Sequence, residues 1–173
     1  MSGTRKPAQK PRGRPRTGAR VAAVQALYQS EHTGEAAEAV IDQFIRHRIG
    51  NLPGLGGFEE GRVPEADIPL FAAIVRKAAQ NGETVDSLVA GHLDPDWPLP
   101  RLDPVLRALL RAACAELWGG KEPPARVVIN EYLDIAHGFF SGEEPRFANG
   151  VLDAMARTLR PEEFTGAPRR SGV

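Results

Sequence analysis

The side chains able to do bond chemistry are few in this sequence and stand apart. Its four histidines, His32, His47, His92 and His137, show no His-Glu-x-x-His spacing and no Cys-x-x-Cys beside them. Those are the spacings that set two ligands on one face for zinc, so no metal site is read. Cys114, the one cysteine of the chain, falls on an apolar helix face where nothing local would stabilise a thiolate, and reads as a small core side chain. A Gly-x-Ser-x-Gly nucleophile elbow is missing. The acidic pairs Glu143-Glu144 and Glu162-Glu163 fall at a helix start and near the chain end. There the helix dipole and solvation account for carboxylates without acid–base chemistry. The segment GNLPGLGGFEEGRVP, residues 50–64, lacks the Gly-Lys-Ser/Thr and the preceding strand of a phosphate loop and reads as a surface connection. The expectation is a protein that is not an enzyme and has no catalytic residue, no metal and no cofactor.

What the sequence does concentrate is positive charge. Arg5, Lys6, Lys10, Arg12, Arg14, Arg16 and Arg20 all lie in the first 30 residues, which contain no acid. The whole chain balances 22 basic against 22 acidic residues, so removing those seven leaves 15 basic residues against 22 acids. A basic arm is attached to an acidic body. Arms of this kind seek phosphates, although a solvated tail that only aids solubility fits the same composition. Prolines break the arm and no apolar h-region follows it, so it does not read as a signal peptide. No apolar run reaches the ~20 residues of a membrane span, and one cysteine precludes an internal disulfide framework. A cytoplasmic location is expected.

Positioning such an arm requires a folded body, and the periodicity supplies only helices. Residues 1–16 lack an apolar face and are expected to be disordered; order is expected from Thr17. Val21, Val24, Leu27 and Tyr28 recur at helical spacing to about Ser30, with Arg20 and Gln25 on the opposite face. A second stripe runs from Ala37 to Ile49 before Gly50, and a third helix covers Glu65 to Gln80. A short fourth carries Val85, Leu88, Val89 and Leu93. Pro95, Pro98 and Pro100 around Trp97 then form a stiff bridge expected to divide the halves of the molecule. Asp103-Pro104 starts a fifth helix, the carboxylate capping a first-turn N–H and the proline standing where its missing N–H costs nothing. That helix ends at Gly119-Gly120. Pro123-Pro124 open a sixth, apolar nearly all round and therefore expected to be central. The seventh, from Glu143 or Pro145 to Leu159, carries Gly150, expected to mark a close helix neighbour. The fold class is all-α, about seven helices in two packed helical subdomains, with residues 161–173 as a tail.

Three blocks, in this order, resemble the NusB family. ARVAAVQALYQSE, from Ala19 to Glu31, matches its first helix; Leu102 to Leu117 carries Asp103, Arg107, Arg111 and Glu116-Leu117 in the expected places. The most specific block is PARVVINEYLDIAHGFF, Pro124 to Phe140, followed by PRFANGVLDAMA, Pro145 to Ala156. The likeness runs from about Arg16 to Arg160 and leaves out the first fifteen residues and the Gly-rich segment. It implies two helical subdomains that bind boxA-type single-stranded RNA, usually with the small ribosomal protein NusE. That complex joins antitermination factors on RNA polymerase and promotes transcription of ribosomal RNA operons. The partner face it implies is guessed to be the apolar and acidic surface of the second half, including the fifth helix.

On that resemblance Arg14, Arg16 and Arg20 are expected on RNA phosphates. Tyr28 and Phe147 are candidates for base stacking, with core packing as the competing role, ahead for Tyr28 and even for Phe147. Gln25 and Asn149 carry amides for base edges, and Arg146 adjoins Phe147. Asn130 and Glu131 fit buried interhelical hydrogen bonds at least as well as RNA contact and are left out of the site. The sequence departs from the family at Thr17 and Gly18, where relatives often carry arginine, and at Ala115 and Ala125, where aromatics are common. Two other readings are a DNA-binding regulator and a protein-interaction scaffold. No helix carries the exposed Arg, Lys and Asn run that major-groove reading favours. An RNA-modifying enzyme would need a cofactor domain with a Gly-rich strand-to-helix turn, which the sequence does not show.

Overall fold

The computed structural model describes residues 14–49 and 66–165. Residues 1–13 of the expected arm (1–16), the Gly-rich connection and the last eight residues lie outside that range, while Arg14, Pro15 and Arg16, expected to be disordered, are helical. Among the described residues there are seven α-helices and no strand. They are α1 (Arg14–Thr33), α2 (Ala37–His47), α3 (Ile68–Gln80), α4 (Gly82–Ala90), α5 (Pro104–Leu117), α6 (Ala125–Phe139) and α7 (Glu144–Leu159). Short 3₁₀ turns span Leu99–Arg101 and Pro161–Glu163.

Local chemistry fixes several boundaries. Asp103 accepts from the N–H groups of Val105 and Leu106 at 2.8 and 3.2 Å, with Pro104 in the first turn, as the sequence predicts. Asp67 caps α3 in the same way, accepting from Leu70 N–H at 3.0 Å ahead of Pro69. That cap shortens α3 from the expected start at Glu65. Helix α1 starts three residues earlier than expected because Pro15 is tolerated in a first turn. Gly119 ends α5 at φ +79°, a conformation that favours glycine.

The centre of the molecule is α5, not α6. Helix α5 packs on α1, α3, α4, α6 and α7, and Leu106 and every residue from Ala108 to Leu117 except Arg111 are buried. Helix α6, expected to be central, leaves Val127 43 % exposed and Asn130 in solvent. Its apolar excess faces only α5, α7 and, more lightly, α1. Helices α1–α3 form one subdomain, and α4, α6 and α7 gather around α5 in the other, with α5 joining them through α1 and α3. The proline bridge is therefore not the division, because α4 precedes it and still packs on α5 and α7. A proline stops a helix but does not choose where the next element docks. Gly150 is exposed, and a Cβ there would meet nothing within 4 Å, so no neighbour explains it.

Ion pairs sew the two subdomains together. Glu31 of α1 takes Arg107 and Arg111 of α5, each at 2.5 Å, and Arg111 also holds Asp86 of α4 at 2.7 Å. Arg107 reaches on to the carbonyls of Leu99 and Leu102 and so ties down the 3₁₀ turn. At the far end of α5, Arg160 is 1 % exposed. Its guanidinium donates to the carbonyls of Glu116, Leu117, Lys121 and Pro123 and to the Glu163 carboxylate.

Candidate nucleic-acid interface

Eight residues are expected at the interface from the sequence, and the structure sorts them into three groups. Arg14 opens α1, its side chain outside the described range, and Arg16 is exposed one turn before the core begins. Arg20, one turn further on, is not on the surface. It is 3 % exposed and forks onto Glu116, Nε to Oε2 at 2.6 Å and Nη2 to Oε1 at 2.9 Å. Its Nη1 meets Glu131 at 3.1 Å, Thr17 donates to the same carboxylate oxygen at 2.8 Å, and Tyr132 donates to Glu116 at 2.6 Å. Burial opposes the charge on Arg20. The Glu116 hydrogen bond and charge outweigh it, so the guanidinium stays protonated with its pKa above the ordinary value. Burial and the adjacent Glu116 charge likewise push Tyr132 well up and keep its proton on. The expected phosphate contact of Arg20 is thus corrected to a buried strut joining α1, α5 and α6. Glu131 plays the interhelical part expected of it; Asn130, exposed, does not.

The second group lies further along α1. Gln25 and Tyr28 are half-buried and share a cavity of about 280 Å³ with His32, Arg48, Val105 and Phe139. Tyr28 stacks on His32 with ring centroids 5.6 Å apart and 8° between planes. Arg48 lies over Phe44 at 4.7 Å, holding its charge at the edge of the cavity. The third group lies on the first two turns of α7. Phe147 is half-buried and lines a separate cavity of about 230 Å³ with Trp97, Arg101, Leu106 and Glu144, while Arg146 and Asn149 are exposed. Trp97 is 51 % exposed, with Arg101 over its ring at 5.6 Å. The α1 and α7 groups share no cavity, yet consecutive residues of the first turn of α5, Val105 and Leu106, each line one of them.

Sequence reasoning missed Phe139, which is 38 % exposed and lines two cavities. The signal was there: Phe139 and Phe140 are adjacent at a helix end, and side chains about 100° apart on a helix cannot both face one core. No group of three His, Cys, Asp or Glu side chains able to hold a metal occurs among the described residues. Burial pushes the Cys114 thiol up to about 12, as an inert core residue requires.

Comparison with known proteins adds the family. The model of the NusB family matches residues 17–157. A transcription antitermination protein NusB from Granulibacter bethesdensis is 63 % identical over 155 residues, 90 % of this chain and 95 % of that one. A solved structure of T. maritima NusB superposes with a TM-score of 0.68 at 27 % identity, covering 87 % of this chain and 97 % of that one. A crystal structure of antitermination factors NusB and NusE in complex with dsRNA gives a TM-score of 0.65 at 23 % identity, covering 82 % and 96 %. With the family model matched over most of its length and a relative 63 % identical along 90 % of the chain, this chain belongs to the NusB family.

Proposed function

We propose that this chain is a transcription antitermination factor that binds boxA-type single-stranded RNA together with a NusE-type small ribosomal protein. It would thereby join the RNA polymerase antitermination complex and promote transcription of ribosomal RNA operons. The observation that carries the reading is the build of α1. One helix leads from the basic run of the N-terminus, past exposed Arg16, to the open cavity where Gln25 and Tyr28 offer an amide and an aromatic ring. In this reading residues 1–16 act as the arm, 17–160 as the RNA-binding domain and 161–173 as a tail. Arg14 and Arg16 neutralise phosphates, so affinity falls with salt. Tyr28, Phe147, Gln25 and Asn149 meet bases, with Arg146 beside them. Arg20 acts from inside the fold.

The NusE-type partner is assigned to the apolar and acidic surface of the second half. Of α5 only the first turn is open to it, since the rest of that helix is largely buried. No described helix is long and apolar enough to cross a membrane, and the protein works in the cytoplasm as an adaptor without catalysis. Fluorescence anisotropy tests this. A labelled boxA-like RNA, a scrambled RNA and a DNA of the same sequence are titrated at two salt concentrations, with and without the NusE-type protein. Tighter binding of the boxA-like RNA, strengthened by the partner, is the expected result. Equal or absent binding of all three overturns it.

A further inference from the structure

The geometry points to Phe139 as a wedge between two successive nucleobases of bound single-stranded RNA, an inference that rests on the RNA-binding reading above. Phe139 is the last residue of α6 and stands between two cavities, lining both. On one side is the cavity edged by Tyr28, His32 and Arg48. On the other is a cavity of about 360 Å³ bounded by Thr17, Val21, Asp134 and Gly138. Gln25 also lines both, and its Oε1, shielded from solvent, has no hydrogen-bond partner among the described residues. A buried acceptor left unmade costs free energy, so Gln25 is a polar side chain beside both cavities whose oxygen is still to be paired.

The occupant follows from size and chemistry. Each cavity lies near the lower end of the ~300–1,000 Å³ of pockets that take a drug-sized ligand, so each suits one ring system. Phe139 is 38 % exposed and borders both cavities, with Phe140 tilted against it at 6.4 Å between centroids, and an exposed aromatic ring stacks bases of any sequence. The polar surroundings differ: Arg48 and the Tyr28 hydroxyl offer donors on one side, and the Asp134 carboxylate accepts on the other. The two cavities therefore favour bases of opposite edge, an acceptor-rich edge beside Arg48 and an exocyclic amine beside Asp134. Thr17 lines the second cavity and exposed Arg16 precedes it on α1, so a phosphate held by Arg16 belongs to a strand that reaches this cavity.

The test uses the full-length protein and boxA-like RNAs carrying a single 5-iodopyrimidine at each pyrimidine position in turn, photocrosslinked and mapped by mass spectrometry. Crosslinks to Phe139 are expected from two adjacent nucleotides and no others. Phe139→Leu, which keeps the apolar contact but has no π face, is expected to weaken RNA binding roughly tenfold with an unchanged salt slope; Phe139→Tyr is expected to restore it. Wild-type binding with no Phe139 crosslink, or Phe139→Leu binding as tightly as wild type, overturns the wedge and leaves the RNA function standing. Loss of NusE-type partner binding by Phe139→Leu with RNA binding intact also overturns it, in favour of a protein segment in the groove. Failure of the wild type to prefer boxA-like RNA would instead strike at the RNA-binding reading itself. The crosslink map decides the matter even if the leucine variant is poorly folded.

Discussion

Replacing Arg20 with Met distinguishes a buried strut from an RNA contact. Arg20 is 3 % exposed and Glu116 8 % exposed, and they share two hydrogen bonds of 2.6 and 2.9 Å. Methionine approximates the stem of arginine but leaves the Glu116 carboxylate with Tyr132 as its one hydrogen-bond donor among the described residues, and removes one donor from Glu131. Breaking a buried pair from one side costs about 3–5 kcal/mol, because a charge is left uncompensated. For a domain of this size each kcal/mol lowers the melting temperature by about 2–4 °C, which gives a fall of roughly 6–20 °C. The further change Glu116→Gln removes the stranded charge, so the double variant is expected to be more stable than Arg20→Met alone, with a coupling energy of about 0.5–3 kcal/mol. Urea unfolding followed by circular dichroism measures both. Below its transition the single variant should show the wild-type salt dependence of RNA binding. If Arg20→Met costs less than about 0.5 kcal/mol, the change expected of a surface site, and lowers the salt slope by about one phosphate, the strut is refuted and Arg20 faces RNA.

Arg160→Met strips the donor from four carbonyls around the end of α5 and from Glu163. A loss of about 3 kcal/mol in urea unfolding is expected, with RNA affinity unchanged below the transition. The hydrogen bond from Arg107, helped by Arg111 and opposed by burial, holds the Glu31 carboxyl below its ordinary value of 4.5. Its stabilisation is therefore present above that value and lost as pH falls through the lower folded pKa. Glu31→Gln should flatten the acid side of a stability–pH curve measured by urea midpoints, and an unchanged curve would contradict this. Cys114, with its thiol pushed up to about 12 by burial, should label with a thiol reagent at pH 8 only as fast as the protein opens. Rapid labelling under native conditions would show the thiol to be accessible.

Much of this protein is decided within short stretches of sequence. Asp103-Pro104 specifies a helix start by itself, because cap and proline act on the next two or three peptide groups; Gly119 ends the same helix for an equally local reason. The apolar repeats give seven helices, since each needs only a face to bury. The basic run, and an amide and aromatic on the helix behind it, are likewise legible as residue types. What lies beyond local reach is which face of a helix meets what. Periodicity sets Arg20 opposite the apolar stripe of α1, where a lone helix meets solvent, but α1 packs on α2, α3, α5 and α6. The partners of Arg20, Glu116 and Glu131, lie 96 and 111 residues away. Helix α6 is apolar enough to be central, yet α5 takes the centre because five helices close on it at once. Phe139 and Phe140 are equal in sequence, and only the docking of α6 beside α1 decides that Phe139 opens onto two cavities. Composition and periodicity set each helix in isolation, whereas exposure belongs to the assembled pack, where one side chain's solvent is removed by another element's arrival.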